Sequence, residues 1–137
     1  PYPRRTHSVF DNVAWLRDAF PQEFIMNPVD AKVRGLANGD TVLIESRHGS
    51  VLRPLCVSER IMPGVVALGE GAWADVDPRT GVDRAGATNV LNGDHPTGQG
   101  HQGWNTCVVE VRGYRGLAPL EADWRQPTRT PKGPASS

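Results

Sequence analysis

Three stretches of this chain gather side chains able to grip a ligand. RRTHSVFDN (Arg4–Asn12) sets two arginines, a threonine, a histidine, a serine, an aspartate and an asparagine around two apolar residues. That is too polar for a core strand and richer in distinct donors than an ordinary chain end. An arginine fork matches carboxylate or phosphate geometry, and hydroxyl and amide groups both donate and accept. GATNVLN (Gly86–Asn92) puts Asn89, a donor and an acceptor in one side chain, after a glycine that lets backbone come close to a ligand. GQGHQGWNT (Gly98–Thr106) adds Gln102, Trp104 and Asn105 on a glycine-rich loop. The chemistry on offer is non-covalent: holding an anion and hydrogen-bonding a polar edge. Each stretch also has a plainer reading, as a solvated terminus, a turn asparagine and a loop anchored by its tryptophan.

Covalent and metal chemistry find less support. The four histidines show no zinc spacing. His48 reads as a hairpin-turn residue, His95 and His101 as loop residues, and Glu70 as a bond-maker within its loop. No Ser-His-Asp arrangement can be drawn, and GDHPTGQG lacks the lysine and the strand–helix setting of a phosphate loop. Cys56 and Cys107 are too few for a disulfide framework and sit in apolar runs, which reads as two small buried hydrophobes, with a single bridge between them left open.

The elements that must carry these stretches are short. VAWLRDAF (13–20) has helical spacing and ends at Pro21. FIM (24–26) reads as a strand. NPVDAKVRG predicts a helix of about two turns, with Asn27 as N-cap, Pro28 at its first position, Asp30 in the first turn and Gly35 as a left-handed cap. Asn38-Gly39-Asp40 turns the chain into TVLIES (41–46), with Val42 and Ile44 on one face. SVLRPLCVSE (50–59) is a second strand, whose Pro54 predicts an edge or a bulge. VVALGEG (65–71) and NTCVVEVRGY (105–114) complete the strand candidates, the latter with Val109 and Val111 on one face. Residues 72–105 have little periodicity, and so long a loop inside a compact domain marks either function or hidden structure. The prolines and polar residues after about 117 predict a tail that is disordered or docks elsewhere.

At 137 residues the chain fits one domain, and its formal net charge of zero removes whole-chain attraction to nucleic acid or acidic membrane. No apolar run is long enough to span a bilayer, so direct membrane insertion is not expected. Thirteen of the fifteen cationic residues are arginine, which fits the Gly-, Pro- and Ala-rich usage of a GC-rich genome as readily as a ligand-binding role. The chain opens on proline and carries no secretory leader, so it is expected to be a piece of a larger polypeptide.

The succession IMNPVDAKVRGLANGDTVLIESRHG, ERIMPGVVALGEGAWADVDPRTGVDRAGATNVLNGDHPT and NTCVVEV, with RTHSVFDN ahead of it, resembles the C-terminal molybdopterin-dinucleotide-binding domain of the dimethyl sulfoxide reductase family. Within that family it is most similar to the catalytic subunit of anaerobic dimethyl sulfoxide reductases. The resemblance covers about residues 1–113. It implies a mainly β fold, a six-stranded double-psi β-barrel with short helices, over residues 1–116, with 117–137 as the tail.

It also implies a cofactor, a bis(molybdopterin guanine dinucleotide) molybdenum group held jointly with other domains of a parent chain. Carried over residue by residue, Arg5, His7 and Ser8 would hydrogen-bond a pterin or its phosphate, with His7 as a donor and not a metal ligand. Asn89 would be a further contact. Gln102 and Asn105 would wrap a ring edge, and Trp104 could stack on a base. Arg5, His7, Ser8, Asn89 and Asn105 are therefore expected to line one concave surface. The implied partners are the parent's remaining domains and an iron–sulfur electron-transfer subunit, in a bacterial complex that is membrane-associated or periplasmic. The parent would reduce a sulfoxide or N-oxide. This module would have no catalytic residue and no metal ligand of its own. The alternative is a free-standing double-psi barrel serving as a protein-interaction or small-ligand module, because fold alone does not choose function.

Overall fold

The computed structural model describes residues 22–93 and 107–120, together with Val13, Trp15 and Ala19. The helix expected over 13–20 lies largely outside the described residues. Among the described residues, five strands and two short helices follow in chain order: β1 (Phe24–Met26), α1 (Pro28–Val33), β2 (Thr41–Glu45), β3 (Ser50–Val57), β4 (Val66–Leu68), α2 (Thr88–Leu91) and β5 (Glu110–Gly113). The fold is mainly β with few and short helices, as the sequence leads one to expect.

α1 follows its local grammar. Asn27 accepts from the Val29 amide at 2.9 Å, and its own amide donates to the Ile61 carbonyl at 2.7 Å. Pro28 opens the helix and Asp30 stands in its first turn. At the other end Leu36 N donates to Ala31 O and Gly35 N to Lys32 O, with Gly35 at φ 64°. That pair of bonds is the left-handed terminator that suits glycine, and it turns Leu36 onto the core.

The strands form one sheet in the order β4-β1-β3-β2-β5. β3 is its spine. Its first part, Ser50 to Pro54, pairs antiparallel with β2, while Leu55 to Val57 pairs parallel with β1. β4 flanks β1 and β5 flanks β2, both antiparallel.

Pro54 therefore lies in the central strand, where an edge or a bulge was expected. The reason is the direction of its missing N–H. Leu55 N donates to Asp40 O on the β2 side, and Leu52 N to Asp83 O on the other. Alternation turns residue 54 towards that other side, at the point where β3 passes from one set of neighbours to the next. No ladder bond to β2 is forfeited there.

The sheet buries both faces. Val42, Ile44, Val51, Leu55 and Val111 join Phe24, Met26, Ala31 and Leu91 in the main core. The alternate residues Leu43 and Leu52 pack with Val82 on the other side, together with the partly buried Tyr114 and Leu117. The chain continues to pack through Leu120, whose amide donates to Arg84 O at 2.9 Å, while Arg84 Nε donates to Ala118 O at 3.0 Å.

In the described part of the stretch read as aperiodic, 72–105, the Asp83 side chain is the main polar anchor. Asp83 pairs with β3 through Asp83 N to Ser50 O (2.9 Å) and Leu52 N to Asp83 O (2.8 Å). Its carboxylate accepts from Asp75 N (2.6 Å) and Ala85 N (3.3 Å) at Oδ1, and from Gly86 N (2.8 Å) and Ala87 N (2.6 Å) at Oδ2. Periodicity reports burial of alternating side chains, and this segment is held instead by polar bonds to backbone.

Candidate functional site

α2 is the element that presents GATNVLN. Four residues cannot hold a helix in place by themselves, and its N-cap, Ala87, has no capping side chain. Its placement comes from its neighbours. Arg53, wholly buried on β3, sends Nε to Gln22 O (2.8 Å) and one terminal nitrogen to Ala85 O (2.8 Å) and Arg84 O (3.4 Å). Gln22, also buried, donates to Gly86 O at 2.9 Å and Gly69 O at 2.5 Å. Gly86 has φ 83°, and a Cβ there would lie 2.3 Å from Arg53 Cδ.

The far end of α2 is clamped as well. The Leu91 carbonyl accepts from Ser46 Oγ at 2.8 Å and from Cys107 Sγ at 3.2 Å. A Cβ on Gly49 would lie 2.6 Å from Val90 O, and one on Gly93 would lie 2.3 Å from the His48 ring. His48 thus belongs to the β2–β3 hairpin, as its sequence setting suggests, and its ring packs on the exit from α2.

A pocket of about 640 Å³ opens beside this helix. Thr88, Leu91 and Asn92 from the α2 segment line it, as do Cys107 to Val109 on the approach to β5. Its floor is apolar and includes Phe24, Met26, Ile44 and Val111, while Asp30, Arg34 and Gly64 stand on the α1 and β4 side. Asp30 is held by accepting from Gly64 N at 2.7 Å, and Arg34 pairs with Glu110 at 3.5 Å. Gly93, two residues beyond α2, lies against the His48 ring, and Cys107 donates to Leu91 O at the end of the same helix.

Asn89 is exposed on α2, with Thr88 and Asn92 flanking it. Arg5, His7, Ser8, Gln102 and Asn105 lie outside the described residues, as does Trp104. Of the residues expected to share a concave surface, Asn89 alone is described; α2 borders the pocket through Thr88 and Leu91, and Asn89 is not among the lining residues. The donor set in view suits a polar planar ring better than a bare ion. Carboxamides and a hydroxyl both donate and accept along an edge. Among the described residues, no three His, Cys, Asp or Glu gather so as to hold a metal ion.

Both cysteines are unbridged and half-buried, more accessible than their apolar runs suggest. Burial pushes the Cys107 thiol up from its ordinary value, and does the same for Cys56, aided there by the Glu23 carboxylate. The sequence reading missed Arg53, Asp83 and Gln22. In a one-dimensional pattern Arg53 looks like a solvated charge next to a strand-breaking proline, and Asp83 like a loop residue. The one available signal was an arginine flanked by Val-Leu and Pro-Leu in a strand otherwise apolar.

Comparison with known proteins supplies the family. The family described as molydopterin dinucleotide binding domain matches residues 1–107. Dimethyl sulfoxide reductase DmsA of Escherichia coli (strain K12) is 48% identical over 96 residues, covering 70% of this chain and 12% of that protein. Trimethylamine-N-oxide reductase of Haemophilus influenzae is 38% identical over 109 residues, covering 75% of this chain and 13% of that protein. This chain therefore spans about an eighth of the length of these relatives. Among solved structures, acetylene hydratase from Pelobacter acetylenicus superposes with a TM-score of 0.67 over 81% of this chain and 17% of that one, at 20% identity, which speaks to the fold. The family match and the two relatives agree with the dinucleotide cofactor and reductase kinship expected from the sequence, and the chain belongs to the molydopterin dinucleotide binding domain family.

Proposed function

We propose that this chain is the cofactor-gripping module of a molybdenum oxidoreductase that reduces a sulfoxide or N-oxide, and that it contacts a pterin guanine dinucleotide. The observation that carries the reading is the meeting of α2 and Cys107 at one pocket. The helix that bears Asn89 lines it through Thr88 and Leu91, and Cys107 lines it too and donates to Leu91 O. Family membership supplies the ligand, and the relatives' names supply the substrate class of the parent.

In this reading the exposed Asn89 amide hydrogen-bonds a ring edge, and Gln102 and Asn105 do the same from the loop. Arg5 meets a pyrophosphate oxygen, and His7 and Ser8 donate to the pterin or its phosphate. When bound, the group supplies a molybdenum centre that exchanges an oxygen atom and electrons with the substrate. This chain orients and retains the group, and the parent's remaining domains close the other side. An iron–sulfur subunit is the proposed electron partner.

The test is cofactor retention in the full-length parent chain. Asn89→Ala and Arg5→Ala should each lose pterin dinucleotide faster on dilution, by about tenfold for one lost polar contact of 1–2 kcal/mol. Unfolding of the cofactor-free protein should be little changed by Asn89→Ala, because that side chain is exposed. Retention equal to wild type in both variants contradicts the proposal.

A further inference from the structure

We propose that Arg53 and Asp83 are positioning residues for the dinucleotide: two buried side chains of opposite charge that never meet the ligand and fix where Asn89 stands. This inference rests on the reading of Asn89 given above and extends it to the scaffold behind the helix.

Both residues are completely buried. A buried charge is costly unless it is bonded on all sides, so the partners show what each is for. Asp83 places its four bonds on amides at 75, 85, 86 and 87. Four is the full accepting capacity of a carboxylate. Three of those amides lie in the turn that leads directly into α2. Arg53 bonds the carbonyls of Arg84 and Ala85, the opposite polarity of the same turn, and that of Gln22 ahead of β1. Donors and acceptors of one backbone segment are thus held by two fixed charges, and both charges are tied to β3.

The register follows from the same bonds. Asp83 exchanges backbone bonds with Ser50 and Leu52, the residues on either side of Val51, and Arg53 is the next residue of that strand. A Cβ on Gly86 would lie 2.3 Å from Arg53 Cδ, so a side chain there would collide. A shift of the turn along β3 would break both sets of bonds together. An apolar core allows small slides at little cost, and this arrangement does not. The helix that carries Asn89 begins one residue after the last amide that Asp83 holds.

The experiment is a double-mutant cycle in the full-length parent chain loaded with cofactor. Wild type, Asp83→Asn, Asn89→Ala and the double variant are compared by the rate at which pterin dinucleotide is lost, and in parallel by denaturant midpoint. Asp83→Asn should speed loss about tenfold in the wild-type background and barely at all once Asn89 is alanine, because coupled residues are non-additive. Its lowering of the midpoint should be the same in both backgrounds. A purely structural Asp83 would not produce that split. If the two effects on cofactor loss multiply, the positioning role is overturned while Asn89 remains a contact. If Asn89→Ala has no effect, the reading of Asn89 itself fails. Should Asp83→Asn not fold, Arg53→Lys takes its place in the cycle. It keeps the charge and loses the fork, and the same outcomes decide.

Discussion

At the scale of single residues, Gly86 and Gly81 make an instructive pair. Both have positive φ, 83° and 72°. A Cβ on Gly81 meets nothing within 4 Å, whereas one on Gly86 would enter the Arg53 side chain. Gly81→Ala should therefore cost only the backbone term, about 1–2 kcal/mol. Gly86→Ala should cost about 1–3 kcal/mol more, because it also overpacks a site whose neighbour is held by three hydrogen bonds. Equilibrium denaturation of the two variants checks the difference. Equal costs would mean that Arg53 swings aside freely. Asn27 offers a second test, since its oxygen caps α1 and its amide holds the 61 loop. Asn27→Asp should keep the cap and lose the loop bond, while Asn27→Ala should lose both and fall further, by about 1 kcal/mol. If the two variants unfold together, the cap contributes nothing.

At the scale of elements, legibility tracked the kind of force. α1 could be read because every determinant is local: cap, proline, first-turn acid and terminal glycine within nine residues. β2 could be read because Val42, Leu43 and Ile44 form a short apolar run after the Asn38-Gly39-Asp40 turn, whereas its neighbour β3 hides Arg53 among residues buried on both faces. α2 could not be read. It is four residues long, lacks a capping side chain, and is held by Asp83, Arg53, Gln22, Ser46 and Cys107, contributed by four other segments. Pro54 misled for a related reason: a proline forbids one hydrogen bond, and sequence does not say which side of the strand that bond faces. The Cys107 tie to α2 carries its own prediction. The folded thiol titrates above an unfolded one because burial disfavours the thiolate. The stability from this group is therefore complete below the ordinary thiol value and is lost as pH rises through the raised one. Denaturant midpoints should fall across that alkaline window in wild type, and fall less in Cys107→Ser. Identical profiles would show that the thiol contributes nothing to the clamp.

At the scale of the whole molecule, the described fold is a two-faced sheet that fixes one short helix, α2, with Leu91 in the core and Asn89 exposed. The core alone would serve any small β domain. The buried charges behind α2 and the pocket in front of it are what the cofactor reading explains. On the proposed reading, those features are the part of this domain that a ligand completes. Hydrogen–deuterium exchange on the full-length parent chain, with and without its dinucleotide cofactor, addresses this most directly. The account predicts cofactor-dependent protection in peptides covering 4–12, 85–92 and 98–109, with little change in the β2–β3 hairpin at 46–50. Protection confined to other domains, or spread evenly over this one, would contradict it.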